Sequence, residues 1–103
     1  MTHIILFKDN PSADPGLRQT HMASHLDFLQ ANRDRIAGAG PLFKTAGESA
    51  GGLWLVNEAN PNEVERMIRE DPFWPTGLRL SHQVLRWNVV FANPGQLRTQ
   101  DGS

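Results

Sequence analysis

The chain has 103 residues, with ten lysines and arginines against eleven aspartates and glutamates and no cysteine. That length suits one domain and excludes two, and a domain so small buries only about two-thirds of the surface of its unfolded chain. No basic stripe of the kind nucleic acid requires is present, no apolar run approaches the ~20 residues of a bilayer span, and the missing cysteines remove disulfides, thiolate nucleophiles and zinc–thiolate sites.

Residues His3–Lys8 (HIILFK) are short, β-branched and aromatic, and predict a first strand buried on both faces. Because Met1 leads directly into this strand with no basic or cleavage segment, a cytoplasmic location is expected. Asp9–Gly16 is a loop by composition. Asp14 followed by Pro15 reads as a helix start, a side-chain acceptor before a proline whose missing N–H costs nothing there.

A first helix is predicted from about Gly16 to Ile36, with Met22, Leu26, Leu29 and Ile36 as its apolar stripe. At ~100° per residue His25 falls about 40° from Leu29, Arg18 shares that sector, and His21 lies one turn earlier and a further ~40° out. His25 is thus expected at the edge of the core, looking along the sheet. Gly38–Pro41 is read as the helix terminator, Leu42–Ala46 as a second strand, Gly47–Gly52 as a glycine-rich hairpin and Leu53–Glu58 as a third strand.

Asn60-Pro61-Asn62-Glu63 predicts a second helix, with Asn60 as cap, Pro61 in the first turn and Glu63 reaching back as in a capping box. Val64, Met67 and Ile68 give its buried face. Pro72 disfavours helical geometry in the residue before it, so the helix ends by Asp71. Phe73, Trp74 and Pro75 make an aromatic turn, and Leu80–Phe91 reads as a long last strand. The domain is placed at residues 1–91, with a flexible tail over 92–103.

The order β-α-β-β-α-β is that of an α+β, ferredoxin-like fold with an antiparallel four-stranded sheet and both helices on one face. Apolar side chains alternate onto both faces of the strands, His3, Ile5 and Phe7 against Ile4 and Leu6. The face without helices needs a cover, and a second copy in an isologous homodimer supplies one.

Two side chains stand out chemically. A histidine titrates near neutrality and carries protons at cellular pH. A carboxylate on one of its ring nitrogens fixes the tautomer and frees the other nitrogen as a base. His25 offers the first and Asp71 the second. Asp71 also sits at a helix C-terminus, where negative charge is disfavoured, and broken local rules gather at functional sites. The bland alternative makes Asp71 a turn cap and His25 a satisfied histidine at the core edge.

Arg18 is a candidate for a substrate carboxylate or phenolate, against a plain surface ion pair. His21 and His25 at i and i+4 have the spacing of two metal ligands. With only His82 or Asp71 to serve as a third ligand, no metal site is assigned. Phe73 and Trp74, with Trp54 and Trp87, are candidates to line an apolar pocket for a ring-shaped ligand, or else are core and interface aromatics. No nucleophile elbow, dinucleotide fingerprint or P-loop is present.

The combination R-x-x-H-x-x-x-H-L-x-F-L over Arg18–Leu29, then A-G-P-L over Ala39–Leu42, G-L-W over Gly52–Trp54, D-P-F over Asp71–Phe73 and the closing Trp87 resembles the YCII-related family. The resemblance spans roughly His3 to Phe91. It implies a dimeric α/β barrel in which two four-stranded sheets pack face to face, and a histidine–aspartate active site falling on His25 and Asp71. It further implies likeness to dehydrochlorinases of chlorinated hydroxyquinols and to muconolactone isomerases, without selecting either.

The reading that follows is a small enzyme needing no cofactor. His25 acts as general acid or base and Asp71 orients it, on a small cyclic or aromatic substrate, in a lyase- or isomerase-like reaction. Arg18, His21, Phe73 and Trp74 are candidates to bind that substrate. The alternative is a non-enzymatic dimeric module that holds a small ligand or docks beside another protein. Nucleic acid and membrane are not expected partners.

Overall fold

A computed structural model describes residues 2–93. The strands are β1 (Thr2–Asp9), β2 (Ile36–Phe43), β3 (Ser49–Asn57) and β4 (Arg79–Trp87). The helices are α1 (Leu17–Ala31) and α2 (Pro61–Glu70), and a single 3-10 turn covers Trp74–Thr76. The four strands form one sheet in the order β2-β3-β1-β4, every pair antiparallel. This is the ferredoxin-like α+β arrangement. The tail expected from Ala92 lies almost wholly outside the described residues.

One face of the sheet carries the core. Ile5, Phe7, Trp54, Val56 and Ile36 meet Val64, Met67 and Ile68 of α2, and Phe28 and Leu29 of α1 pack against that cluster. Full burial of each such side chain contributes about 1.5–3 kcal/mol. The α2 boundary follows its sequence signals. Asn60 Oδ1 accepts from the Asn62 N–H at 2.9 Å, and the helix stops before Asp71, whose ψ of 132° is extended as Pro72 requires. The capping box does not close: the Asn60 N–H donates to Glu58 at 3.0 Å, while Glu63 pairs with Arg66.

The first helix differs from its predicted course. It ends at Ala31, in turns over 32–35, and Ile36 enters the core from β2. Gly38, Gly40 and Pro41 therefore lie inside a strand. Because β2 is an edge strand, proline sacrifices no ladder bond on its outer side and glycine is tolerated there. The connection to β3 shrinks to residues 44–48. Nor is the inward side of α1 the expected stripe. Leu26 is 54% exposed, and His25 is the helix's one buried residue. Asp14 acts two positions ahead of the Gly16 cap, taking the Gly16 N–H at 2.8 Å in the turn that launches the helix.

Two backbone features shape the site. Gly51 has φ +95°, and a Cβ there would stand 2.0 Å from the Phe7 carbonyl oxygen, so only glycine lets β3 start so close to β1. On the other side of β1, the pairing with β4 slips between Lys8↔Ser81 and Asp9↔Arg79, leaving Leu80 as the unpaired residue of a β-bulge.

Candidate active site

The elements converge on a cleft of about 110 Å³ between α1 and the β2–β3 side of the sheet. Small residues open it. Ala39, Gly40, Pro41 and Gly52 stand where large side chains would fill the space, and Phe7, Trp54, Met22 and Leu29 give it apolar walls. Its polar groups are His25 and Arg18 from α1, Asp9 from the end of β1, and Arg79 from β4.

His25 and Asp71, 46 residues apart, meet with Nδ1 at 2.8 Å from Oδ1. Both are out of solvent, Asp71 only 1% and His25 only 9% exposed. The same Oδ1 accepts the Phe73 N–H at 3.1 Å, and Oδ2 faces Arg79 Nη1 at 2.7 Å. That last contact has the distance of an ion pair and sets the guanidinium charge directly against the carboxylate.

Burial alone would push the Asp71 carboxyl up. The His25 hydrogen bond, the Arg79 charge and the Phe73 N–H outweigh it and hold the carboxyl below its ordinary value. An ionised carboxylate only accepts hydrogen bonds, so His25 Nδ1 carries the proton and donates it. In the neutral ring the lone pair is then on Nε2, which has no hydrogen-bond partner among the described residues. The Phe73 ring lies against the imidazole, centroids 4.6 Å apart, and sets its plane from behind.

The other expected residues are spread more widely. Arg18 lines the cleft and donates to Asp9 Oδ2 at 3.1 Å; Ser49 Oγ also reaches that oxygen, at 3.3 Å. His21 is half-buried, its ring 6.5 Å from that of Phe73. Phe73 is buried behind His25. Trp74 is 44% exposed and packs edge-on against the His82 ring, lining a separate hollow with Leu80 and Ser81. His82 is itself occupied, with Nε2 at 2.8 Å from a Glu65 oxygen. No three histidine, aspartate or glutamate side chains among the described residues converge as metal ligands would.

Sequence reasoning missed Arg79 and Asp9. Neither has a spacing signal, and what turns Arg79 toward the helices is a bulge that no motif announces.

The geometry defines a class first: a ferredoxin-like sheet with a buried histidine–aspartate pair at the wall of a small cleft. The chain belongs to the YCII-related family, whose domain pattern matches residues 1–88. A solved structure similar to it is the 5-chloro-2-hydroxyhydroquinone dehydrochlorinase of Burkholderia phenoliruptrix AC1100, in complex with 2,5-dihydroxybenzoquinone. The two share 26% sequence identity at a TM-score of 0.75, over 86% of this chain and 95% of that one. No curated protein matches the chain in sequence. No helix among the described residues is long and apolar enough to cross a membrane.

Proposed function

We propose that this protein is an enzyme that moves a proton on a small cyclic or aromatic molecule held in the cleft, with His25 as general acid and base and Asp71 as the group that orients it. The observation that carries the reading is the 2.8 Å contact between Nδ1 and a buried carboxylate, which leaves Nε2 as the basic nitrogen of a cleft-lining ring. A base so placed removes a proton from a ring carbon or hydroxyl. The released electron pair then either expels a leaving group such as chloride or is reprotonated at another carbon. The first outcome is a lyase reaction and the second an isomerisation, and proton transfer of this kind contributes about 10²–10⁴-fold. The dehydrochlorinase neighbour favours the first.

The working unit is a homodimer. Ile4, Leu6, Leu53 and Leu55 are half-buried on the face opposite the helices and directly paired across β1 and β3, and Leu85 continues them on β4 at 39% exposure. A second copy of the same face covers this patch and closes the two sheets into a barrel. The cysteine-free composition suits the cytoplasm.

The test is turnover of a panel of chlorinated hydroxyquinols and lactones, followed by chloride release and ring absorbance, with His25→Ala beside the unaltered protein. Turnover that disappears in a folded His25→Ala chain is the expected result. Turnover that survives the change overturns the assignment. Binding without turnover across the panel points to a ligand-holding module instead.

A further inference from the structure

We propose that Arg79 is the group that receives the ligand's anionic oxygen, so that the cleft takes rings bearing an acidic hydroxyl next to the position that exchanges a proton. The inference rests on His25 as the proton carrier and adds the anchor and the ligand class.

Arg79 is at the site because of the bulge. Had β1 and β4 kept their register past Lys8, Asp9 would face Leu80, and an apolar side chain would enter the helix side of the sheet. The slip leaves Leu80 outside, 56% exposed, and turns Arg79 inward beside Asp9. There the guanidinium is paired with Asp71 through Nη1 and stacked among aromatic rings. Its carbon lies 3.9 Å from the centre of the Phe7 ring, 5.4 Å from Trp54 and 5.6 Å from Phe73. Stacking holds the faces of the plane and leaves the N–H groups, which lie in the plane, available at its edge.

Those N–H groups are underused. The Arg79 side chain is only 11% exposed, and its charged partner is the Asp71 carboxylate oxygen 2.7 Å from Nη1, which leaves the guanidinium's other N–H groups without a protein acceptor among the described residues. Leaving a buried donor unmet costs about 1–3 kcal/mol, more for a charged group. Arg18 is unlike it, being 36% exposed in its side chain and well bonded to Asp9. The guanidinium with unmet capacity is therefore the one beside His25's own carboxylate, where an oxyanion would meet a ready-made fork. An acceptor there also sits within the charge field that Asp71 shares, so ionisation of the ligand and proton transfer to His25 are coupled.

The experiment titrates the purified protein by calorimetry with two rings of one shape. They are 2,5-dihydroxybenzoquinone, ionised at neutral pH, and its dimethoxy counterpart, which has no proton to lose. The unaltered protein is expected to prefer the ionised ring by about tenfold or more. Arg79→Gln is expected to erase the preference and His25→Ala to keep it, which separates failure of the anchor from failure of the base. Arg79→Lys keeps a charge against Asp71 but not the fork, and should fold and bind the ionised ring about tenfold more weakly. Equal binding of the two rings by the unaltered protein, or full preference retained in a folded Arg79 variant, overturns the proposal. So does failure of both Arg79 variants to fold, which would make the residue a structural counter-charge.

Discussion

His25 and Asp71 face each other across 2.8 Å from the middle of α1 and the first residue beyond α2, and Asp71 Oδ1 takes the Phe73 N–H as well. The turn-capping role and the histidine-orienting role of Asp71 are thus the same oxygen's work. That joint role explains a carboxylate at a helix C-terminus, where the helix dipole opposes it. Two N–H donors and a facing guanidinium outweigh a term of about 0.3–1 kcal/mol.

Asp71→Asn tests both roles. An amide no longer compels the Nδ1–H tautomer, so activity should fall by about 10²–10⁴-fold. Arg79 is left without its counter-charge at the same time, and breaking a buried pair costs about 3–5 kcal/mol. Kinetics and urea unfolding measured on one preparation check the two effects. A variant as stable and as active as the original would leave Asp71 a turn cap and nothing more.

The acid behaviour of the chain follows from the same carboxylate. Its value in the folded state lies below the ordinary one, despite burial, because His25, Arg79 and the Phe73 N–H favour the charged form. A depressed carboxyl contributes stability that is present above its unfolded value, near pH 4, and is lost as pH falls through the folded value. Urea midpoints compared at pH 7 and pH 3 should show the unaltered protein losing more than Asp71→Asn. Parallel losses would mean that another group governs acid unfolding.

Much of this was legible in the residues. Short apolar runs marked β1 and β3, and Asn60-Pro61 and Pro72 bracketed α2 by local chemistry alone. Asp71 marked itself by breaking a local rule and His25 by its place at the core edge, but it was the resemblance to the YCII-related family that singled the two out as a pair. Gly38–Pro41 misled because glycine and proline read as breakers unless the strand is known to be an edge, which only the completed sheet decides. The inward side of α1 misled for a related reason: Leu26 looks like core by spacing, yet the cleft lies beneath it and leaves it half in solvent. Arg79 was invisible because a one-residue slip between two strands is a property of their pairing and leaves no mark on either alone.

Gly51→Ala should be among the most damaging single-methyl additions in the chain. The added carbon meets the Phe7 carbonyl oxygen at 2.0 Å, and φ +95° is itself unfavourable for alanine. A loss of at least about 2 kcal/mol is expected from the strain and the clash together. Gly52→Ala is the control, since its nearest neighbour stands at 3.5 Å, in ordinary contact. Comparable unfolding curves for the two variants would contradict the close approach of β3 to β1.

The open face of the sheet gives a prediction about assembly. Leu55 stands there between Ile4 on β1 and Gly38 on β2. Leu55→Arg would place a charge at the middle of the proposed interface, where it has no counter-charge, at a cost of several kcal/mol. Light scattering should find a dimer before the change and a monomer after it. A dimer that persists would move the interface elsewhere.

Ala39→Leu addresses the cleft itself. Ala39 lies on the edge strand β2, opposite Trp54, exposed and on the wall of the cleft. A leucine there keeps the strand's pairing and meets no core, so stability should stay within about 0.5 kcal/mol. Its three extra carbons enter a space of about 110 Å³ in front of His25. Ring binding should therefore drop by about tenfold or more while the melting temperature stands still, as seen by calorimetry and circular dichroism. Undiminished binding would show that the ligand does not use this cleft, and the acid/base role of His25 would fall with it.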